Sequence, residues 1–344
     1  MIRVLVVDDS PTVRALLAGI FERDPGLRVV GTASNGLEAV AEAARLHPDV
    51  ITMDIRMPKM DGFQATKRIM QQTPTPIVVV SASVNAEDLK ITFNAIRAGA
   101  LTVVEKPSGP GAPAYEAIRD QLVTTVKLMA DVKVVRRWAT GHLRPRRPVS
   151  EREVQDTKAR TAVIAIAAST GGPGALFQVL GALPANFPVP IMIVQHIAQG
   201  FGQGMVNWLN EATKLTVVIA QSGQEVAPGH VLIAPDDRHL LVGKDGRVLL
   251  RSRRSTDGFC PSADYLFQSV AETFGRRALG LIMTGMGRDG VEGLRTLKRV
   301  GGKILAQDEA SCVVFGMPKE AINAKVVDQI VPLDQIAATI VEML

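Results

Sequence analysis

Short apolar runs separated by helix-length segments constrain this chain most. Runs at residues 3–7, 28–31, 50–53, 77–80 and 101–104 are rich in β-branched side chains, and helix-like segments at 11–21, 36–46, 63–70 and 87–98 lie between them. Strands alternating with helices of about 10–15 residues imply βαβ units and a parallel sheet. An unbroken apolar run is what a strand covered on both faces requires. Five such strands predict a flavodoxin-like doubly wound α/β domain, closed by a further helix over about 114–138. The pattern resumes at 162–168, 189–195, 215–219, 230–234 and 279–284, with a helical pattern at 175–180. A second doubly wound α/β domain with a mostly parallel sheet is expected there. Residues 247–251 follow Asp245-Gly246 as one side of a hairpin.

The 344 residues suit two domains at roughly 150 residues each. The stretch 139–160 contains Pro145 and Pro148 and little apolar periodicity, so it reads as a linker; so long a loop inside one domain would be unusual. The expected division is therefore 1–130, a linker at 131–160, and 161–344. The net charge of +5 invites a nucleic-acid reading, but residues 132–160 alone hold nine Lys or Arg against three acids. The basic excess belongs to the linker, where a solvated face is its ordinary role, and no helix-turn-helix or aromatic-basic cluster appears. Nucleic acid is not an expected partner. The opening apolar run is cut by Asp8 and Asp9, and no run approaches the ~20 residues of a membrane helix. A cytoplasmic location without membrane insertion follows as an expectation. Cys260 and Cys312 offer neither a disulfide framework nor zinc-ligand spacing.

Four of the five predicted strands of the first half end in or are followed by polar residues, at the edge where open α/β sheets bind ligands. The first ends in Asp8-Asp9, the third in Asp54, the fourth in Ser81, and the fifth is followed by Lys106-Pro107. Three clustered carboxylates repel one another unless a cation binds, and oxygen ligands suit Mg²⁺. A cation together with Lys106 would neutralise an incoming phosphoryl group, leaving one carboxylate as nucleophile for an acyl phosphate. With Asp54-Ile55-Arg56-Met57-Pro58-Lys59-Met60-Asp61-Gly62, this set resembles the receiver domain of two-component response regulators over about residues 1–130. The resemblance implies that Asp54 is phosphorylated by a histidine kinase as phosphodonor. It also implies that Asp8, Asp9, Asp54 and the backbone of Arg56 hold Mg²⁺, and that Ser81 and Lys106 contact the phosphoryl group. Receivers often carry an aromatic residue three positions before the lysine; Val103 stands there.

The second half offers three polar residues after apolar runs: Ser169, His196 and Asp289. A serine hydroxyl needs a base, for which His196 is the candidate, and the imidazole needs an orienting carboxylate, for which Asp289 is the candidate. Ser169 opens a Gly-rich turn into a helix, where free N–H groups and the helix dipole favour an oxyanion. The order Ser, His, Asp and the sequence Ala167-Ala168-Ser169-Thr170-Gly171 differ from the α/β-hydrolase pattern. His239 is the rival base.

These residues sit in Ala168-Ser169-Thr170-Gly171-Gly172, Gln195-His196, Ile233-Ala234-Pro235, Thr284-Gly285-Met286-Gly287-Arg288-Asp289-Gly290 and the run from Ala306-Gln307-Asp308 to Gly316-Met317-Pro318. In all of them the chain resembles the CheB family of chemotaxis methylesterases over about 161–344. The resemblance implies Ser169 as nucleophile, His196 as base and Asp289 as its partner, with Thr170 and the N–H of Met286 at the oxyanion or substrate. It implies hydrolysis of glutamate methyl esters on cytoplasmic chemoreceptor helices, deamidation of glutamines in some members, and no cofactor for the hydrolase. Cys260 stands where the family commonly has a basic residue, and Arg288 where a small polar residue is frequent. A phosphorylation-dependent binding regulator with a vestigial hydrolase site is the rival reading.

Overall fold

The computed structural model describes residues 1–81, 86–112, 115–132, 134, 149–150, 154, 161–255 and 257–344. Its contacts divide the chain into two compact units, Met1–His142 and Leu143–Leu344. Most of the expected linker lies outside the described residues.

The first unit runs β1 (Ile2–Val7), α1 (Pro11–Glu22), β2 (Leu27–Ala33), α2 (Gly36–Leu46), β3 (Val50–Met53), α3 (Gly62–Gln72), β4 (Ile77–Ser81), α4 (Ala86–Ala98), β5 (Thr102–Glu105) and α5 (Tyr115–Ala130). The strand order is β2-β1-β3-β4-β5, and every pair is parallel. All four residues of β3 and all five of β4 are buried, as a sheet covered on both faces demands. Polar caps start the helices at the strand-to-helix turns: Ser10 accepts from Val13 N, Asn35 from Glu38 N and Asp61 from Gln64 N. The last helix ends at Ala130, short of the predicted 138. Its buried residues Leu122, Val126 and Met129 recur at helical spacing; the next described residue, Asp131, is already a turn.

The second unit begins with β6 (Val163–Ala168), α6 (Gly172–Ala182), β7 (Ile191–Gln195), α7 (Gly202–Asn210), β8 (Thr216–Ile219) and β9 (His230–Ile233). A ribbon of β10 (Arg238–Val242) and β11 (Val248–Ser252) follows. The chain continues through α8 (Ala263–Phe274), β12 (Ala278–Ile282), α9 (Val291–Arg299), β13 (Lys303–Gln307), α10 (Met317–Asn323), β14 (Gln329–Val331) and α11 (Ile336–Glu342). The seven-stranded sheet has the order β14-β13-β12-β6-β7-β9-β8 and is parallel throughout, while β10 and β11 pair antiparallel apart from it. Strands β6, β7 and β12 are wholly buried. Each fully buried Ile or Leu there contributes about 1.5–3 kcal/mol of apolar transfer. The helix predicted at 175–180 is longer than its apolar pattern. It starts at Gly172 because Pro173, in the first turn, lacks an N–H that the helix would not have used.

Both sheets reverse direction at their first strand. In the first unit the chain leaves β1 for β2, then crosses to β3 on the other side; in the second it leaves β6 for β7, and β12 later takes the opposite flank. The carboxyl end of such a switch point is where an α/β sheet opens a crevice.

Candidate active sites

At the switch point of the first sheet, Asp8 follows β1 and Asp54 follows β3. Backbone bonds from Asp8 N to Ala33 O (3.1 Å) and from Asp54 N to Val7 O (2.9 Å) extend the ladder to the two aspartates. Asp8 is 0% exposed and Asp54 7%. Lys106, tethered by its N–H to Ser81 O (3.0 Å), places Nζ 2.7 Å from Asp8 Oδ2 and 3.1 Å from Asp54 Oδ1. Asp54 Oδ1 also accepts from Ile55 N at 2.8 Å. Burial pushes the Asp54 carboxyl up to about 6, with the Asp8 charge adding to the rise and Lys106 opposing it. Burial alone would lower the Lys106 ammonium, but the charges of Asp54 and Asp8 outweigh it and raise it.

Carboxylate oxygens of Asp8, Asp9 and Asp54 lie within 4.8 Å of one another, and Asp9 is exposed. Such an all-oxygen, partly hydrated set fits Mg²⁺. One ammonium among three carboxylates leaves negative charge uncompensated, which is a further reason for a cation to bind. The Arg56 side chain pairs with Asp88. Ser81 is buried at the end of β4, and Val103 is buried in β5 opposite Val79.

At the second switch point, the register Ala168↔Gln195 makes Ser169 and His196 neighbours just beyond β6 and β7. His196 N donates to Ala168 O (3.0 Å), and Ser169 N donates to Thr284 O (3.0 Å) beyond β12. Asp289 comes from the loop after β12, on the far side of β6. It reaches His196 across the end of the central strand, with His196 Nε2 2.9 Å from Asp289 Oδ2. A carboxylate can only accept, so Nε2 carries the proton and Nδ1 has the free lone pair. Among the described residues Nδ1 is buried with no hydrogen-bond partner, so its lone pair could accept a proton.

Asp289 is saturated. It accepts from Ser262 Oγ (2.7 Å), Ala263 N (2.7 Å) and Asp264 N (3.3 Å), and so also caps α8. Burial works to raise this carboxyl, but the bond and charge of His196, with Ala263 N and Ser262, hold it below its usual value. The chain around Ser169 needs glycine at two places, one in its own turn and one in the loop after β12. Gly171 has φ +80°, and a β-carbon on Gly285 would stand 2.7 Å from Ser169 Cβ. Gly172 N donates to Ser169 O, which turns the chain into α6. Among the described residues, the N–H groups of Thr170 and Met286 have no backbone acceptor, and Met286 is exposed.

His239 is elsewhere. It is 0% exposed, and its Nε2 lies 2.9 Å from Asp257 Oδ2, which also accepts from Arg254 N at 2.8 Å. Tyr265 OH donates to Asp257 Oδ1 at 2.7 Å. The Arg254 and Tyr265 bonds, then His239, hold the Asp257 carboxyl well below the usual range. Burial pushes the Cys312 thiol up to about 12, which keeps it protonated and unreactive.

Known proteins share both sites' frames. The family model described as CheB methylesterase matches residues 164–340, and the response regulator receiver domain matches residues 4–112. The chain belongs to the CheB methylesterase family. Its relatives include the protein-glutamate methylesterase/protein-glutamine glutaminase 4 of Myxococcus xanthus, 49% identical over 98% of this chain and 95% of that one. The protein-glutamate methylesterase/protein-glutamine glutaminase 1 of Syntrophus aciditrophicus is 45% identical over 100% and 98%. The crystal structure of the Thermotoga maritima CheB methylesterase catalytic domain matches 54% of this chain and 99% of its own, at 37% identity and a TM-score of 0.52. Among the described residues no helix is long and apolar enough to cross a membrane.

Sequence reasoning missed the polar scaffold of this CheB-type site. Gln195 Nε2 donates to both Ser169 O and His196 O at 2.8 Å, tying the two strand ends together. Thr284 Oγ1 donates to Thr170 O (2.9 Å) and accepts from Val313 N and Val314 N. Gln307 Oε1 accepts from Thr284 N at 2.9 Å. A signal existed: each is a buried polar residue ending or following an apolar strand. Phe259, stacked on His196 with ring centroids 4.8 Å apart and planes at 11°, had none.

Proposed function

We propose that this chain hydrolyses the γ-methyl esters of glutamate side chains on cytoplasmic chemoreceptor helices, and deamidates glutamines at the same site. The observation that carries the reading is the His196–Asp289 contact beside Ser169 at the end of three adjacent strands. Ser169 Oγ attacks the ester carbonyl carbon while His196 Nδ1 takes its proton. The carbonyl oxygen becomes an oxyanion, and the N–H groups of Thr170 and Met286 are its donors. As the tetrahedral species collapses, the C–OCH₃ bond breaks and His196 returns the proton to the leaving oxygen, giving methanol. Water then attacks the acyl-serine, again deprotonated by His196, and releases the glutamate carboxylate and free Ser169. An amide follows the same path with ammonia leaving. No step requires a cofactor.

Asp54 is the phospho-acceptor and a histidine kinase the donor, in the cytoplasm. Asp8, Asp9, Asp54 and the Arg56 carbonyl would hold Mg²⁺, whose charge offsets that of the phosphoryl oxygens when it is bound. Ser81 and Lys106 hold the phosphoryl group, and phosphorylation raises hydrolysis. The test measures methanol release from a methylated receptor cytoplasmic fragment by the full chain, with and without acetyl phosphate and Mg²⁺. Release should increase with both, and EDTA or Asp54→Asn should remove the increase. Equal release under all conditions would contradict the regulatory reading.

A further inference from the structure

The residues between β11 and α8 carry a feature that the hydrolytic reading leaves unused. Phe259 is 49% exposed, a high value for so large an apolar side chain. One face of its ring lies on the His196 imidazole, nearly parallel and 4.8 Å away. A β-carbon on Gly287, next to Met286, would stand 3.9 Å from Phe259 Cζ. The ring therefore borders both the base and the Met286 loop.

The stack is held from both sides. Two residues before it, Asp257 is bound by the buried His239, by Tyr265 OH and by Arg254 N. Three residues after it, Ser262 donates to Asp289, the partner of the same imidazole. Arg251 lies 3.8 Å over the Tyr265 ring, which packs edge-on to His239. A side chain fixed between two such anchors keeps its place without being buried.

We propose that Phe259 is a positioning residue for ester cleavage: its ring face stabilises the imidazolium that His196 becomes when it takes the Ser169 proton, and holds the imidazole plane in line with Ser169. The inference rests on the Ser169–His196–Asp289 mechanism above. A cation within about 6 Å of an aromatic centroid is attracted by the ring quadrupole. A neutral imidazole gains less, so the contact strengthens as the transition state forms and acts on kcat rather than KM. Other charges bear on the same cleft: Asp289 directly, with Asp257, Asp264, Arg288 and Glu292 also lining it. They are unchanged by substitution at 259, so a change in pH profile isolates the ring.

The experiment measures pH–rate profiles of the full chain on a peptide bearing a glutamate γ-methyl ester, for wild type, Phe259→Leu and Phe259→Trp. Leucine keeps the apolar cover and removes the π face. For Phe259→Leu we expect kcat on the high-pH plateau to fall roughly threefold at little-changed KM, and the acidic limb to move about half a unit lower. The two profiles should then merge at low pH, because a less basic imidazole is deprotonated more often there. Phe259→Trp should keep the wild-type limb. A Phe259→Leu profile that matches wild type, or one lowered equally at every pH, would overturn the proposal. Ser169→Ala run alongside separates the two failures: if it still turns over, the mechanism itself is wrong.

Discussion

Two buried aspartates at two switch points sit in opposite surroundings. Asp54 has one backbone donor and shares one lysine with Asp8, and burial raises its carboxyl to about 6. Asp289 has three donors besides His196, and its carboxyl is held below the usual value. The switch point of one sheet thus holds a carboxylate with few donors, and that of the other a saturated one. An oxygen that must attack phosphorus needs free lone pairs. A carboxylate that must orient an imidazole needs to stay ionised and still. The number of donors around a buried aspartate separates the reactive case from the orienting one.

The sharpest way to break this comparison is at the nucleophile that Asp289 serves. Ser169→Ala should lower methanol release by roughly 10⁴–10⁶-fold with an unchanged circular dichroism spectrum, since removing one hydroxyl oxygen leaves the strand-end backbone bonds of Ser169 in place. Asp289→Asn should cost about 10⁴-fold. An amide nitrogen turned toward Nε2 places donor against donor and favours the wrong tautomer, while turning it away sets it against the other donors. A loss below tenfold would mean that the saturated carboxylate is only a helix cap.

Asp54 should respond with the opposite sign. Its folded value near 6 lies above the 3.8 of an ordinary carboxyl, so the folded state holds the proton more tightly. Stability without metal is therefore lost as pH rises from about 4 to 6. Asp54→Asn should stabilise the first unit at pH 7 without metal, an advantage that shrinks near pH 4 and is lost in saturating Mg²⁺, which stabilises the wild-type carboxylate set. Hydrogen exchange read separately in each unit during urea titration checks this. Asp289, being lowered, contributes stability above about pH 4 that is lost on further acidification. The smallest expected effect is at His239. His239→Ala leaves Asp257 its bonds from Arg254 and Tyr265, so turnover should fall only a few-fold, through loosening of the Phe259 contact. A loss as deep as that of Ser169→Ala would make His239 the base.

What could be read from the residues was what strand ends carry. Asp8, Asp54, Ser81, Lys106, Ser169 and His196 each lie at or just past the end of an apolar run, and a parallel sheet brings its run ends to one edge. The topology that lays Asp289 across β6 to reach His196 depends on β12 taking the flank opposite β7. That choice is made by non-local packing, which local pattern does not encode. The roles of Gln195, Thr284 and Gln307 are not legible in the sequence, because a side-chain amide or hydroxyl shows what it ties together only when the strands are in place. Phe259 was invisible: its function depends on the fixed geometry of a loop, and nothing in Gly258-Phe259-Cys260 announces a partner across the sheet.

Covalent catalysis at this site requires that Ser169 form an ester with the substrate's γ-carboxyl. The direct measurement is mass spectrometry of the full chain, acid-quenched during turnover of a glutamate γ-methyl ester peptide. The proteolytic fragment containing Ser169 should gain the peptide's mass less methanol, and Ser169→Ala should remove the adduct. An adduct on another residue, or turnover in Ser169→Ala at the wild-type rate, would contradict it.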